Sequence, residues 1–376
     1  MGNASELQEQ INRSPLTAVM REAIAMGAAD IHIKANLPPM FVVNGAVVPM
    51  PGCPPLPPEG VEKLLYSVLP EAKQRLFEER LEIDTSFEVP GLGRFRVNLF
   101  HNDHQMAAVI RVILPNIRSV EALGLPPAVK NVIFERQGLF LVTGPTGSGK
   151  TTTLAALIDL YNTTKAGHLV TIEDPIEVKH SHKRCVVSQR EVGEDTHSFT
   201  AAIKSALRQA PNVILIGELR DRETIELALK AAETGHMVFS TLHTNDAVQT
   251  VYRVINVFPP HEQGPIRIQL ANALKGVLSQ RLVPRCDRPG RVPAVDFLIC
   301  TSTAKDAILK NEIDKLYEVE KQGLLEGMQS MNQSLLNYYQ AGVIDYDTAM
   351  SYSENPAELV QMLRNHIRSL FQPASK

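Results

Sequence analysis

The stretch GLFLVTGPTGSGKTTTLAALIDLY, residues 138–161, decides how this chain is read. An apolar run passes into GPTGSGKT at Gly144–Thr151, which fits G-x-x-x-x-G-K-[ST] at every position, and a helical run follows. A glycine-rich loop between a strand and a helix lets backbone N–H groups close around phosphate oxygens, and the helix dipole favours the anion. In such a loop the lysine, here Lys150, reaches the β- and γ-phosphates, and the hydroxyl of Thr151 ligates magnesium. ATP and Mg2+ are therefore the expected cofactors. The binding candidates are Gly144, Pro145, Thr146, Gly147, Ser148, Gly149, Lys150, Thr151 and Thr152.

Further apolar runs, HLVTIED, NVILIGE and MVFSTLH, alternate with helical segments. Strands apolar on both faces and separated by helices predict a parallel sheet covered on both sides, an α/β core. NVILIGE ends at Glu218, where a carboxylate could hold magnesium through water or polarise the attacking water. TIEDPIE puts Glu173, Asp174 and Glu177 close together; such a cluster needs a cation or a basic neighbour, and Glu177 is assigned the magnesium or water-positioning role. ETGHMVFSTLHTND, residues 233–246, holds two histidines, with no further ligands spaced for zinc. His243 ends its strand on the edge where the P-loop and Glu218 also end, so it is expected to contact the γ-phosphate and report its presence. His236, at the strand's other end, joins the cofactor-binding set in a supporting or interface role.

Upstream, Ser14, Pro15 and Gly27 bracket a helix over 14–27, and Asn44-Gly45 joins two strand-like runs as a hairpin. Helices over 58–69 and 71–81 precede the strands IDTSFEV, GRFRVNLFH and QMAAVIRVIL. This order predicts a small α+β domain over 1–114 and a linker over 115–120. The P-loop domain runs from 121 to 376, mainly helical from about 300, with Asn355-Pro356 opening the last helix. Strand alternation sets Arg94, Arg96 and Asn98 on one face and Phe95, Val97 and Leu99 on the other, with Arg111 similarly placed on the next strand. Guanidinium groups so arranged suit phosphate, although the pattern fits exposed arginines on a half-buried strand equally well.

The 376 residues carry a net charge of −3 with interspersed signs, which gives no basic footprint for nucleic acid. Cys53, Cys185, Cys286 and Cys300 form no C-x-x-C, which argues against a zinc knuckle or a disulfide framework and fits a reducing cytosol. MGNASELQEQINRSP lacks the pattern of a secretory signal, though MGNAS fits a myristoylation consensus superficially. No apolar run approaches a membrane span, so a cytoplasmic location is expected, with membrane contact through a partner.

Taken in order, GPTGSGKT, TIEDPIE, ILIGELRD and AETGHMVFSTLHT resemble the motifs of the type II/IV secretion ATPase superfamily, and within it the type IV pilus retraction ATPases of the PilT/PilU family. The resemblance begins with GAADIHIKANLPPMFVVNG and covers nearly the whole chain. It sets Walker A on Gly144–Thr151, an acidic box on Thr171–Glu177, the Walker B glutamate on Glu218 and a histidine box on His236 and His243. It implies a RecA-like P-loop core preceded by a small PAS-like domain whose arginines, Arg94, Arg96 and Arg111 here, complete a nucleotide site. It further implies a homo-hexameric ATP-hydrolysing motor for pilus retraction at the inner-membrane base of the pilus. Its partners would be a PilC-like platform protein and a paralogous pilus ATPase. An accessory pilus ATPase without its own motor activity stays open, as does a RecA-like nucleic-acid motor, which would need a basic channel. TSTAKDAILK stands where PilT chains carry Ala-Ile-Arg-Asn-Leu-Ile, and ALRQAPNVILIGELR leans towards PilU, so both branches stay open.

Overall fold

The computed structural model describes residues 11–43, 45–113 and 117–371. The MGNASELQEQ reading, Asn44 of the expected hairpin turn and residues 115–116 of the expected linker lie outside the described residues. The chain divides into two compact units, Met1–Asn116 with Pro175–Lys179, and Ile117–Asp174 with His180–Lys376.

In the first unit the Ser14 hydroxyl accepts the Leu16 N–H at 3.1 Å and so starts α1 (Pro15–Ala25). Six strands follow: β1 (Asp30–Ile33), β2 (Met40–Val43), β3 (Ala46–Pro49), β4 (Glu82–Val89), β5 (Gly93–Asn102) and β6 (Gln105–Ile113). They form one antiparallel sheet in the order β3-β2-β1-β6-β5-β4. Helices α2 (Pro58–Tyr66) and α3 (Glu71–Arg80) precede β4. Ile31, Phe41, Phe95, Val97, Leu99 and Ile110 pack with Leu16 and Met20 of α1 and with Val61 and Leu65 of α2. A strand's side chains alternate between faces, so burying Phe95, Val97 and Leu99 leaves Arg94, Arg96 and Asn98 on the opposite, half-buried face, as the sequence predicts.

The second unit is built on β7 (Gly138–Thr143), β8 (Gly167–Glu173), β9 (Cys185–Glu191), β10 (Val213–Ile216), β11 (Met237–Leu242), β12 (Leu274–Pro284) and β13 (Arg291–Ile299). Their order is β13-β12-β7-β11-β10-β8-β9, and every pairing is parallel except that of β13 with β12. Helix α4 (Val129–Ile133) precedes β7, and the helices between the strands are α5 (Lys150–Thr164), α6 (Phe199–Ala206), α7 (Arg222–Glu233), α8 (Ala247–Asn256) and α9 (Pro260–Ala273). Leu139 and Leu141 of β7 enter one core with Ile203, Ile225, Val251 and Leu270 of α6–α9. Phe140 and Val142 of the same strand enter the other core, with Leu154, Leu157 and Ile158 of α5. Cover on both faces is why these strands read as unbroken apolar runs, and each fully buried Leu, Val or Phe contributes about 1.5–3 kcal/mol.

Three strands extend the sheet beyond the four apolar runs picked out in the sequence. One is β9, whose CVVSQRE stands at an edge, and the other two form the long β12–β13 hairpin before residue 300. After the hairpin come α10 (Ser302–Leu309), α11 (Leu316–Gln322), α12 (Met331–Gln340), α13 (Tyr346–Tyr352) and α14 (Pro356–Phe371). Leu335, Leu336, Ile344 and Leu359 from this helical part cover Val283, Val292 and Ala294 of the hairpin. No helix among the described residues is long and apolar enough to cross a membrane.

Candidate nucleotide site

The carboxyl ends of β8, β10, β11, β7 and β12 stand side by side in the sheet, so the residues that leave them share one edge. Gly144, Gly147 and Gly149 hold φ of 138°, 78° and 89°, which side chains disfavour. Space decides two of these positions as well. A Cβ on Gly144 would collide with the carbonyl oxygen of Gln280, and one on Gly149 would lie 2.7 Å from Gln280 Nε2. The approach of β12 is therefore what demands glycine at both.

Gln280 clasps the loop. Its Nε2 donates to the Ser148 carbonyl at 2.6 Å, and its Oε1 accepts the Thr153 hydroxyl at 2.7 Å. Lys150 donates to the carbonyls of Gly144 at 2.8 Å and Pro145 at 3.1 Å, which holds its ammonium against the loop. No side chain among the described residues caps α5, so the helix start can turn N–H groups towards an anion, and Thr151 and Thr152 are exposed at the same turn. Ser148 Oγ is buried and has no hydrogen-bond partner among the described residues. An uncapped helix start, an unpaired hydroxyl and glycines that admit no Cβ fit a bound phosphate chain.

His243 follows β11 directly and links two groups. Its Nδ1 lies 3.5 Å from Lys150 Nζ, and its Nε2 lies 3.6 Å from Glu218 Oε2. Burial first, and then the charges of Lys150 and Arg220, hold the His243 pKa below its ordinary value. The neutral ring then accepts at Nδ1 and carries its proton on Nε2, towards Glu218. The Glu218 backbone is pinned on both sides. The Gly217 N–H donates to the Ile172 carbonyl at 2.8 Å and the Leu219 N–H to the Thr241 carbonyl at 3.0 Å. Just beyond, Asp221 and Thr224 form a capping box that starts α7. Arg220 pairs with Glu218 and stands 3.8 Å from Asp174. Lys150, His243, Glu218, Arg220 and Asp174 thus form one polar chain along the sheet edge.

The acidic box differs from the expected cluster. Glu173 accepts the Thr171 hydroxyl at 2.6 Å and the Gln189 amide at 3.2 Å, Asp174 faces Arg220, and Glu177 faces Arg96 at 3.9 Å. Like charges have separated, each to its own partner. In the first unit, Arg96 of β5 stands directly opposite Arg111 of β6, and acids offset the pair. Asp30 takes Arg111 at 2.8 Å, Asp84 and Glu177 flank Arg96 at 3.9 Å, and Arg94 donates to Ser86 at 2.6 Å. His236 is not brought to the P-loop. It precedes Met237 at the amino end of β11, while the loop leaves the carboxyl end of β7, and six residues of strand span about 20 Å. Its ring meets the Ala231 carbonyl at 3.0 Å.

Sequence reasoning missed Gln280, Arg220 and a buried file of hydroxyls beneath the loop. Ser279 and Thr143 meet at 2.7 Å, Thr143 and Thr250 at 3.4 Å, and Thr250 and Thr244 at 2.6 Å. The available signal was Ser279-Gln280 inside the apolar run GVLSQRLV, because polar side chains buried in a strand must find partners.

Comparison with known proteins agrees with this arrangement. The family described as type II/IV secretion system protein matches residues 5–374. The type IV pilus retraction ATPase PilT of Pseudomonas aeruginosa is 43% identical over 341 residues, covering 91% of this chain and 98% of that one. The type IV pilus ATPase PilU of the same organism is 39% identical over 364 residues, covering 95% of each chain. A crystal structure of the pilus retraction motor PilT with bound ADP superposes with a TM-score of 0.85 at 44% identity, covering 92% of this chain and 98% of that one. The Legionella pneumophila ATPase DotB superposes with a TM-score of 0.77 at 28% identity, covering 89% and 95%. Its mixed α/β architecture is that of a secretion ATPase with a RecA-like core, and the chain belongs to the type II/IV secretion ATPase family, within the PilT/PilU branch of pilus ATPases.

Proposed function

We propose that this chain is an ATP-hydrolysing motor that powers retraction of a type IV pilus. The observation that carries the reading is the file Lys150–His243–Glu218, which joins the phosphate-binding loop to a carboxylate. Lys150 and the uncapped start of α5 bind the triphosphate, and Glu218 orients the attacking water. Magnesium, when bound, offsets phosphate charge; Thr151 is the ligand this chain offers, with Glu218 acting through water. His243 touches both Lys150 and Glu218, so a shift of the lysine towards the γ-phosphate changes what the ring and the carboxylate share. Arg94, Arg96, Arg111 and Glu177 act from the amino-terminal domain, which we read as PAS-like, in a homo-hexamer at the cytoplasmic face of the inner membrane. His236, remote from its own P-loop, serves an interface. The ring acts on a PilC-like platform protein. Nucleotide occupancy does mechanical work only through unequal affinity for the states it switches between.

The test is Glu218→Gln. Turnover falls by about 10²–10⁴-fold while ATP binding persists, and undiminished turnover removes Glu218 from its role. A PilU-type accessory role is the second reading, since PilU aligns over 95% of this chain at 39% identity beside the 91% and 43% of PilT. Deleting the chain in its host separates the two. Surplus immobile pili mark a motor that works alone, and unchanged retraction at low load marks an accessory.

A further inference from the structure

Away from the P-loop, the second unit holds a cavity of about 670 Å3, walled by the β12–β13 hairpin, α11 and the start of α14. Seven carboxyl groups line it against two cations, Arg281 and Lys321. Both cations are already engaged. Arg281 pairs with Glu354 at 2.5 Å, and Lys321 with Glu358 at 2.8 Å. Asp246 takes the Tyr317 hydroxyl at 3.4 Å and caps α8 through the Gln249 N–H at 2.6 Å, while Asp314 and Glu318 add charge without adding a cation.

Asp246, Asp296 and Glu320 are its buried acids, 3%, 3% and 4% exposed. Asp296 Oδ2 accepts the Ala247 N–H at 2.9 Å, but no donor among the described residues reaches Asp296 Oδ1 or Glu320 Oε1. The two carboxyls act on each other strongly enough that one shared proton relieves their repulsion. Burial, and then the charge of Asp296, push Glu320 up to about 12, so that proton stays at neutral pH. Burial also raises Asp246, and it raises Glu354 to about 7 in spite of Arg281. Seven acids against two engaged cations, even with one proton shared by the deepest pair, leave the chamber short of positive charge.

We propose that this chamber binds a primary ammonium group at Asp296 and Glu320, carried by a free polyamine or by a lysine of another copy of the chain. An ammonium offers three N–H donors, enough for Asp296 Oδ1, Glu320 Oε1 and one rim carboxylate. Divalent ions fit worse. They take six or more close oxygens, and no cluster of three or more candidate ligands gathers here among the described residues. The volume also exceeds a bare ion and suits an alkyl chain bearing charge at intervals. On binding, the proton shared by Asp296 and Glu320 leaves to solvent, and the ammonium keeps its own protons and replaces it.

Titration calorimetry of the nucleotide-free, full-length chain with spermidine, in two buffers of different ionisation enthalpy, tests this. Binding should release about one proton per ligand and tighten as pH rises. Asp296→Asn with Glu320→Gln should weaken it by at least about tenfold. Should that pair fold poorly, the rim pair Asp314→Asn with Glu318→Gln should still weaken it by about threefold. If spermidine is refused but a carbodiimide couples Asp296 or Glu320 to a lysine of a second copy, the ammonium comes from the chain itself. Refusal with no such coupling overturns the proposal, and so does binding without proton release that the variants leave unchanged.

Discussion

Glu218 and Glu320 belong to the same unit and carry the same side chain, yet their surroundings are opposite. Glu218 stands at the open edge of the sheet beside Arg220 and His243, with Lys150 one step further. Glu320 lies inside a wall, with Asp296, Asp246 and Glu354 as charged neighbours, and burial dominates its chemistry. A carboxylate at a strand tip can hold its charge towards a reacting phosphate. One in the acidic chamber must share a proton or meet a cation. Position, rather than residue type, sets what each carboxyl can do.

The largest test of this contrast is to exchange each acid for its amide and read both properties in both variants. Glu218→Gln should remove the ~10²–10⁴-fold in turnover argued above and leave in place the alkaline slope of stability that the buried Glu320 sets. Glu320→Gln should do the reverse. Steady-state hydrolysis and pH-dependent melting, measured side by side, decide it. If both variants lose turnover alike, the two regions are not separate.

Next in size is a change in the strand they share. On β12, Gln280 faces the P-loop and the next residue, Arg281, faces the chamber. Gln280→Leu leaves the Ser148 carbonyl and the Thr153 hydroxyl buried without partners, a loss of about 2–3 kcal/mol in stability by chemical denaturation. ADP affinity should fall with it, because the clasped loop is no longer held ready. Spermidine binding should hold. Loss of spermidine binding as well would mean that β12 carries strain between the two sites.

The same strand shows how far the sequence can be read. The P-loop, the four central strands and the edge occupied by Glu218 and His243 are legible, because buried parallel strands are apolar throughout and glycines mark the turn. The β12–β13 hairpin is not. Ser279, Gln280 and Asp296 interrupt its apolar runs; Thr143 and Ser148 partner the first two, and Ala247 meets one oxygen of Asp296. Those partners lie far away in the sequence, so nothing local announces them. TIEDPIE misleads for a related reason. Adjacent acids look like one cluster until the fold hands Glu173 to Thr171, Asp174 to Arg220 and Glu177 to Arg96.

The smallest expected effect is the pH slope of Glu320. Its folded-state value is raised to about 12 from an ordinary 4.5, so the native state keeps a proton that the unfolded chain gives up. Stability from this group is therefore complete below the ordinary carboxylate range and is lost as pH climbs towards the folded value, at no more than about 1.4 kcal/mol per pH unit. Glu354, raised to about 7, adds a similar slope only below that pH. Between about pH 7.5 and 9, above the value of Glu354, the Glu320 contribution alone should cost the wild type up to about 2 kcal/mol. The Cys300 thiol, which burial raises to about 11, adds to the slope near pH 9. Glu320→Gln can donate its amide N–H to Asp296 without a titrating proton, so its stability curve should be flatter over the same range. Spermidine at saturation should flatten the wild-type curve as well, because the ligand has already displaced the proton. Parallel curves for wild type and variant would place that proton elsewhere, and Glu320 would then resemble Glu218 more than the chamber's geometry allows.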